Sequence, residues 1–181
     1  MKKRTHFLVL SALIAALYAG STYMMAFFGL SYGPVQFRVS EALTILPVFT
    51  PSAIWGLTVG CFIANIFSYN PIDMLFGTAA TLIASLITYF LRNIKWRGMP
   101  ILSAMAPVII NGVIIGFEIA FFFTEGNATL ASFLVSGLWV ALGELAVCLG
   151  LGLPLYTAIS KNNSILSFCT VNSCNRRGFT I

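Results

Sequence analysis

A chain of 181 residues that is 59% hydrophobic and 8% charged, with a mean hydropathy of +0.93, does not fold as a water-soluble globule, since soluble domains carry about 25% charged residues. Its formal charge is +5, yet the basic residues stand at the ends of apolar runs. That pattern orients membrane helices and excludes a nucleic-acid footprint.

Four runs reach membrane length, over residues 7–28, 72–91, 101–123 and 130–159. Each offers the roughly 20 residues that a helix needs to cross a bilayer. The first follows a basic start and is too long for a secretory h-region. It also lacks a cleavage site, so a retained membrane helix is expected.

Between the first two runs, residues 41–68 are interrupted by Pro47 and Pro51. Charge parity favours a short helix over 41–49 and a separate helix over 51–68. Six passes then put Lys2, Lys3, Arg4, Arg92, Lys95, Arg97, Lys161, Arg176 and Arg177 on the cytoplasmic side with both termini, leaving Arg38 outside. About ten residues cover only about 15 Å as an α-helix. Such a segment must be shielded by protein or must line a cavity. The preceding residues 29–40, GLSYGPVQFRVS, read as an outer loop that lids a pocket. The expected fold is thus an all-α integral membrane protein, a six-helix transmembrane bundle over residues 1–160. Residues 161–181 form a polar tail expected to be disordered.

Polar residues within the runs fall on helical faces. Thr58, Cys61, Asn65 and Ser68 share one face, and Asp73, Gly77, Thr81 and Ser85 another. Asn111 and Glu118 lie seven apart on one stripe, as do Gly137 and Glu144. A carboxylate at bilayer depth costs on the order of 2.5–3.5 kcal/mol even on lenient scales, and it marks a functional interior by default. Glu118 and Glu144 are therefore the leading binding candidates, followed by Glu41, with Asn111, Asn65, Trp139 and Phe37 as further lining residues.

No G-x-x-x-x-G-K-[ST] loop, H-E-x-x-H or G-x-S-x-G motif occurs, so neither ATP hydrolysis nor an enzyme is expected. His6 reads as an interfacial charge. Cys61 and Cys148 read as packing residues, and Cys169 with Cys174 lack the partners a metal site needs. On the first run, Ala12, Ala16 and Gly20 recur every fourth residue, with Ala15 and Ala19 alongside. Small residues at this spacing let another helix approach closely. Gly56, Gly60 and Ala64 form a second, internal stripe.

The segments YGPVQFRVSEALTILP (residues 32–47), WGLTVGCFIANIFS (55–68) and PIDMLFGTAATLIAS (71–85) resemble the QueT-like family. Members are substrate-binding S components of energy-coupling factor (ECF) transporters for queuosine precursors. The resemblance covers about residues 5–160. It implies a bacterial multi-pass cell-membrane protein that captures a 7-deazaguanine such as preQ0, preQ1 or queuine from outside. It also implies delivery through a transmembrane coupling subunit driven by two cytosolic ATPases, so that the chain itself needs no cofactor. Ala12, Ala15, Ala16 and Ala19 would contact that coupling subunit. A carboxylate suits the paired N–H donors of such a base, and Phe37 or Trp139 would stack on its ring. The alternatives are a stand-alone proton-coupled transporter, an S component for another vitamin, and a membrane assembly protein whose buried Glu residues only pair helices. No inverted repeat, which a stand-alone transporter would favour, is visible.

Overall fold

The structure, a computed structural model, describes residues 3–27, 38–66, 71–123 and 129–170. Among these, helix α1 spans Lys3–Phe27, a 3₁₀ helix spans Val39–Val48, α2 spans Ser52–Ile66 and α3 spans Pro71–Leu91. Helix α4 follows at Ile101–Phe123, α5 at Leu130–Lys161 and the short α6 at Asn163–Thr170. A bridge between Trp96 and Met99 closes the α3–α4 turn, with Arg97 and Gly98 at φ 51° and 81°. Gly98 suits that left-handed conformation because it has no Cβ.

Helices α1, α3, α4 and α5 are long and apolar enough to cross a membrane, whereas the 3₁₀ helix and α2 are apolar but shorter. Where the sequence predicts six passes with a short second one, the described residues hold four helices of membrane length and two shorter apolar segments, α2 being the other short one. The division at Pro47 and Pro51 is nonetheless real. Residues 39–48 and 52–66 form separate elements.

Contacts fix the directions of these segments. Ser11 Oγ donates to the Ser52 carbonyl at 2.9 Å, while a Cβ at Gly56 would meet Ile14 and one at Gly60 would meet Ala15 and Tyr18. Helices α1 and α2 therefore run parallel, and the 3₁₀ helix between them returns the chain. It descends from Ser40, bonded to Thr22 of α1 at 2.7 Å, to Phe49, stacked on Tyr156 near the end of α5. The six segments alternate in direction. One end, here the basal end, carries the start of α1, the α3–α4 turn and the end of α5. Lys3, Arg4, Arg92, Lys95, Arg97 and Lys161 all belong to it, and Lys95 lies over the Tyr156 ring.

Close helix approach builds the walls. A Cβ on Gly116 would stand 2.5 Å from Gly137 Cα, so α4 and α5 meet backbone to backbone. The 3₁₀ helix occupies the middle, with Ser40, Glu41, Ala42, Thr44, Ile45, Leu46 and Pro47 all buried. Ten residues is long for this helix type, whose runs seldom exceed four.

Residues 163–170 differ from the irregular tail expected of them. They form a helix whose Phe168 ring meets His6 edge-on at 4.8 Å and whose Cys169 is buried. His6 is itself buried, at 6% exposure, instead of standing as an interfacial charge. Aromatic packing across the basal end accounts for both differences. Burial also pushes the Cys169 thiol up, which favours its protonated form. The expected outer loop, apart from Arg38, Val39 and Ser40, and the tail beyond Thr170 lie outside the described residues.

Candidate functional site

The interior is polar in two layers, and the 3₁₀ helix sets the deeper one. Its buried Glu41 accepts a hydrogen bond from the Tyr18 hydroxyl of α1. Across the bundle, Asn111 Nδ2 of α4 donates to Glu144 Oε1 of α5 at 2.9 Å. The Cys148 thiol lies 3.6 Å from Glu144 Oε2 and 3.8 Å from the Glu41 carbonyl. Cys148 opens a π turn, Cys148–Gly152, that interrupts α5 where it passes the 3₁₀ helix. Such turns are frequent at functional positions.

The upper layer lies toward the end opposite the basic residues. Arg38 Nη2 pairs with Asp73 Oδ1 at 3.5 Å, both residues being buried. Asn65, at the end of α2, donates to the Asp73 carbonyl at 3.2 Å. Gly77 makes room for it, since a Cβ there would stand 2.6 Å from Asn65 Nδ2. Glu118 is 1% exposed, and neither of its carboxyl oxygens has a hydrogen-bond partner among the described residues. The charged side chains acting on it are Asp73 and Arg38.

The structure thus brings Glu41, Asn111 and Glu144 together in the deeper layer and sets Asn65 and Glu118 in the upper one. Trp139 is not among them. It is 51% exposed on the outer face of α5. Phe37 lies outside the described residues. On α1, Ala12 and Ala16 are exposed and Ala19 is half-buried, whereas Ala15 is buried against Gly60 of α2.

Two partners of these carboxyls leave little trace in the sequence. Tyr18 reads there as an ordinary core aromatic, with nothing to announce its bond to Glu41. Arg38 did carry a signal, being the one basic residue that charge parity removes from the rest. Its pairing with Asp73, 35 residues away, is visible only in three dimensions.

Charge separates this interior from ordinary helix packing. The chain has five acidic residues, and Glu41, Asp73, Glu118 and Glu144 are all buried; the fifth, Glu125, lies outside the described residues. Arg38 is the one basic Lys or Arg side chain among the described residues that is buried with them. Interhelical polar contacts average about 0.6 kcal/mol, a poor return for four desolvated carboxyls. An interior rich in acceptors can take up N–H donors.

The sequence profile of the QueT transporter family matches residues 8–161. The chain belongs to the QueT transporter family. Over 102 residues it is 35% identical to the queuosine precursor transporter QueT of Lactococcus lactis subsp. cremoris (strain MG1363). That stretch covers 54% of this chain and 60% of the relative, so the match spans less than two thirds of the relative's length. No solved structure matches the chain. With four helices of membrane length, this QueT family member is a multi-pass membrane protein. The family match ends at Lys161, the last residue of α5, and α6 lies beyond it.

Proposed function

We propose that this QueT family member is the substrate-capturing membrane subunit of an ECF-type importer and that its cargo is a queuosine precursor of the 7-deazaguanine class. The observation that carries the reading is the convergence of four buried carboxyls on one interior within a transporter family. A 7-deazaguanine presents ring and exocyclic N–H donors that carboxylates accept through strong charge-assisted bonds. The name of the Lactococcus relative points to the same cargo.

The alternating segments support six passes, with the 3₁₀ helix and α2 shielded inside the bundle. Six basic residues at the basal end support a cytoplasmic placement of that end. The polar interior then lies toward the outer side, at the end of the bundle where α1, α2 and α4 finish. Glu41, Glu118, Glu144, Asn111 and Asn65 hold the solute. The exposed Ala12 and Ala16 of α1 form the face that meets the coupling subunit, and two cytosolic ATPases supply the work. The chain's part is capture and delivery, without chemistry on the solute.

The test is mass spectrometry of small molecules retained by the purified protein, followed by uptake measurements with and without the coupling module. A retained 7-deazaguanine and coupling-dependent uptake are expected. Uptake by the chain alone would replace this reading with a self-sufficient transporter.

A further inference from the structure

Glu118 differs from the other carboxyls of the interior. Glu144 receives Asn111 on one oxygen and faces the Cys148 thiol with the other, and Glu41 receives Tyr18. Both oxygens of Glu118 lack a hydrogen-bond partner among the described residues, at 1% exposure. A buried acceptor left unmade costs about 1–3 kcal/mol, and more when charged. Two of them on one side chain suit a position that receives the donors of a bound solute.

The neighbours of Glu118 say which donors. Its two carboxyl oxygens offer a pair of acceptors, and the buried Arg38 guanidinium, ion-paired with Asp73, lies in the same layer as a donor. The pyrimidine edge of a guanine-type base offers the complement: an exocyclic amino N–H, a ring N–H and a carbonyl oxygen. The deeper layer is different in kind. It holds two carboxyls, Glu41 and Glu144, and the basic side chain that acts on them is Arg38 of the layer above, which is ion-paired with Asp73. Two such groups close together favour a positive charge between them. Asn111, which serves that layer, lies seven residues before Glu118 on α4, two turns or about 10 Å along the axis. A flat bicyclic base standing along α4 would reach both layers.

On the reading that the cargo is a 7-deazaguanine, we infer that Glu118 and Arg38 read its pyrimidine edge. The Glu41–Glu144 pair receives the substituent on its five-membered ring and selects one that carries a cation. Specificity for the base and specificity for its side arm are then separate properties of separate layers.

Titration calorimetry of the purified full chain with 7-aminomethyl- and 7-cyano-7-deazaguanine tests this division. The wild-type chain should prefer the aminomethyl compound by at least about tenfold, since only that arm is a cation. Glu144→Gln should abolish the preference and leave the cyano compound within about threefold of its original affinity. Glu41→Gln serves the same purpose should Glu144→Gln fail to fold. Glu118→Gln should weaken both compounds by a similar factor, at least about tenfold, and keep the preference between them. An aminomethyl analogue without the 2-amino group should bind the wild-type chain weakly and lose little more on Glu118→Gln, because the two changes remove the same contact. Equal wild-type affinity for the two compounds would overturn the inference. So would a Glu118→Gln effect confined to the aminomethyl compound, or a Glu144→Gln effect equal on both. If neither compound binds the wild-type chain, the cargo reading itself fails.

Discussion

Asn111 of α4 donates its side-chain amide to Glu144 of α5 across 2.9 Å, in the middle of a bundle whose neighbouring surfaces are Ile, Val and Gly. Without that amide, Glu144 Oε1 would lose its donor in an apolar wall. Asn111→Leu should therefore lower stability by about 1–3 kcal/mol, the cost of a buried acceptor left unsatisfied. A fall in the melting temperature of the detergent-purified protein reads this out. An unchanged melt would mean that water or another side chain takes the place of Asn111.

Glu118 should respond in the opposite sense. It has no hydrogen-bond partner among the described residues to lose, and a neutral amide is cheaper to bury than a carboxylate. Glu118→Gln should raise the melting temperature of the empty protein while weakening its hold on solute, the usual exchange at a binding site. Thermal melts with and without a 7-deazaguanine measure both effects. A destabilised empty protein would show that Glu118 supports the fold.

The α4–α5 contact makes a third prediction. Gly116→Ala puts a methyl 2.5 Å from Gly137 Cα, where only backbone can yield. Overpacking of this kind costs about 1–3 kcal/mol. Gly20→Ala is the control, because nothing lies within 4 Å of its added Cβ. Equal melts for the two variants would contradict the backbone contact.

The alanines of α1 divide by face. Ala12→Trp or Ala16→Trp should prevent assembly with a coupling subunit and leave solute binding intact, since both positions are exposed. Ala15→Trp should damage the bundle itself, because Ala15 is buried against Gly60. Co-purification and calorimetry on the same preparations separate the two effects. Normal assembly of both outer variants would move the docking surface elsewhere.

The long helices were legible because hydropathy marks them directly: residues 101–123 match α4, and 130–159 fall two residues short of the end of α5. The polar faces were legible too, since Asp73, Gly77, Thr81 and Ser85 all turn inward as their spacing predicts. Trp139 suits the site by residue type but not by helical phase. Five residues from Glu144 place it about 140° around the helix, at roughly 100° per residue, whereas Val140, one turn before Glu144, is buried. Tyr18 stayed hidden because a hydroxyl within an apolar stripe resembles core packing until its partner is known. The α6 helix stayed hidden for a related reason. Its order comes from Phe168 against His6, a contact between opposite ends of the chain.

The 3₁₀ helix has a consequence for biogenesis. Val39–Val48 is short, carries Glu41 and draws its shelter from α1, α3, α4 and α5. During synthesis, α4 and α5 are made after it, so this segment has no finished cavity when it leaves the ribosome. It is too short to partition into lipid as an independent span. Its insertion should therefore be completed only when the later helices close the wall. Nascent chains halted before α4 should leave position 41, as a lone introduced cysteine, open to a water-borne thiol reagent. Full-length chains should protect it.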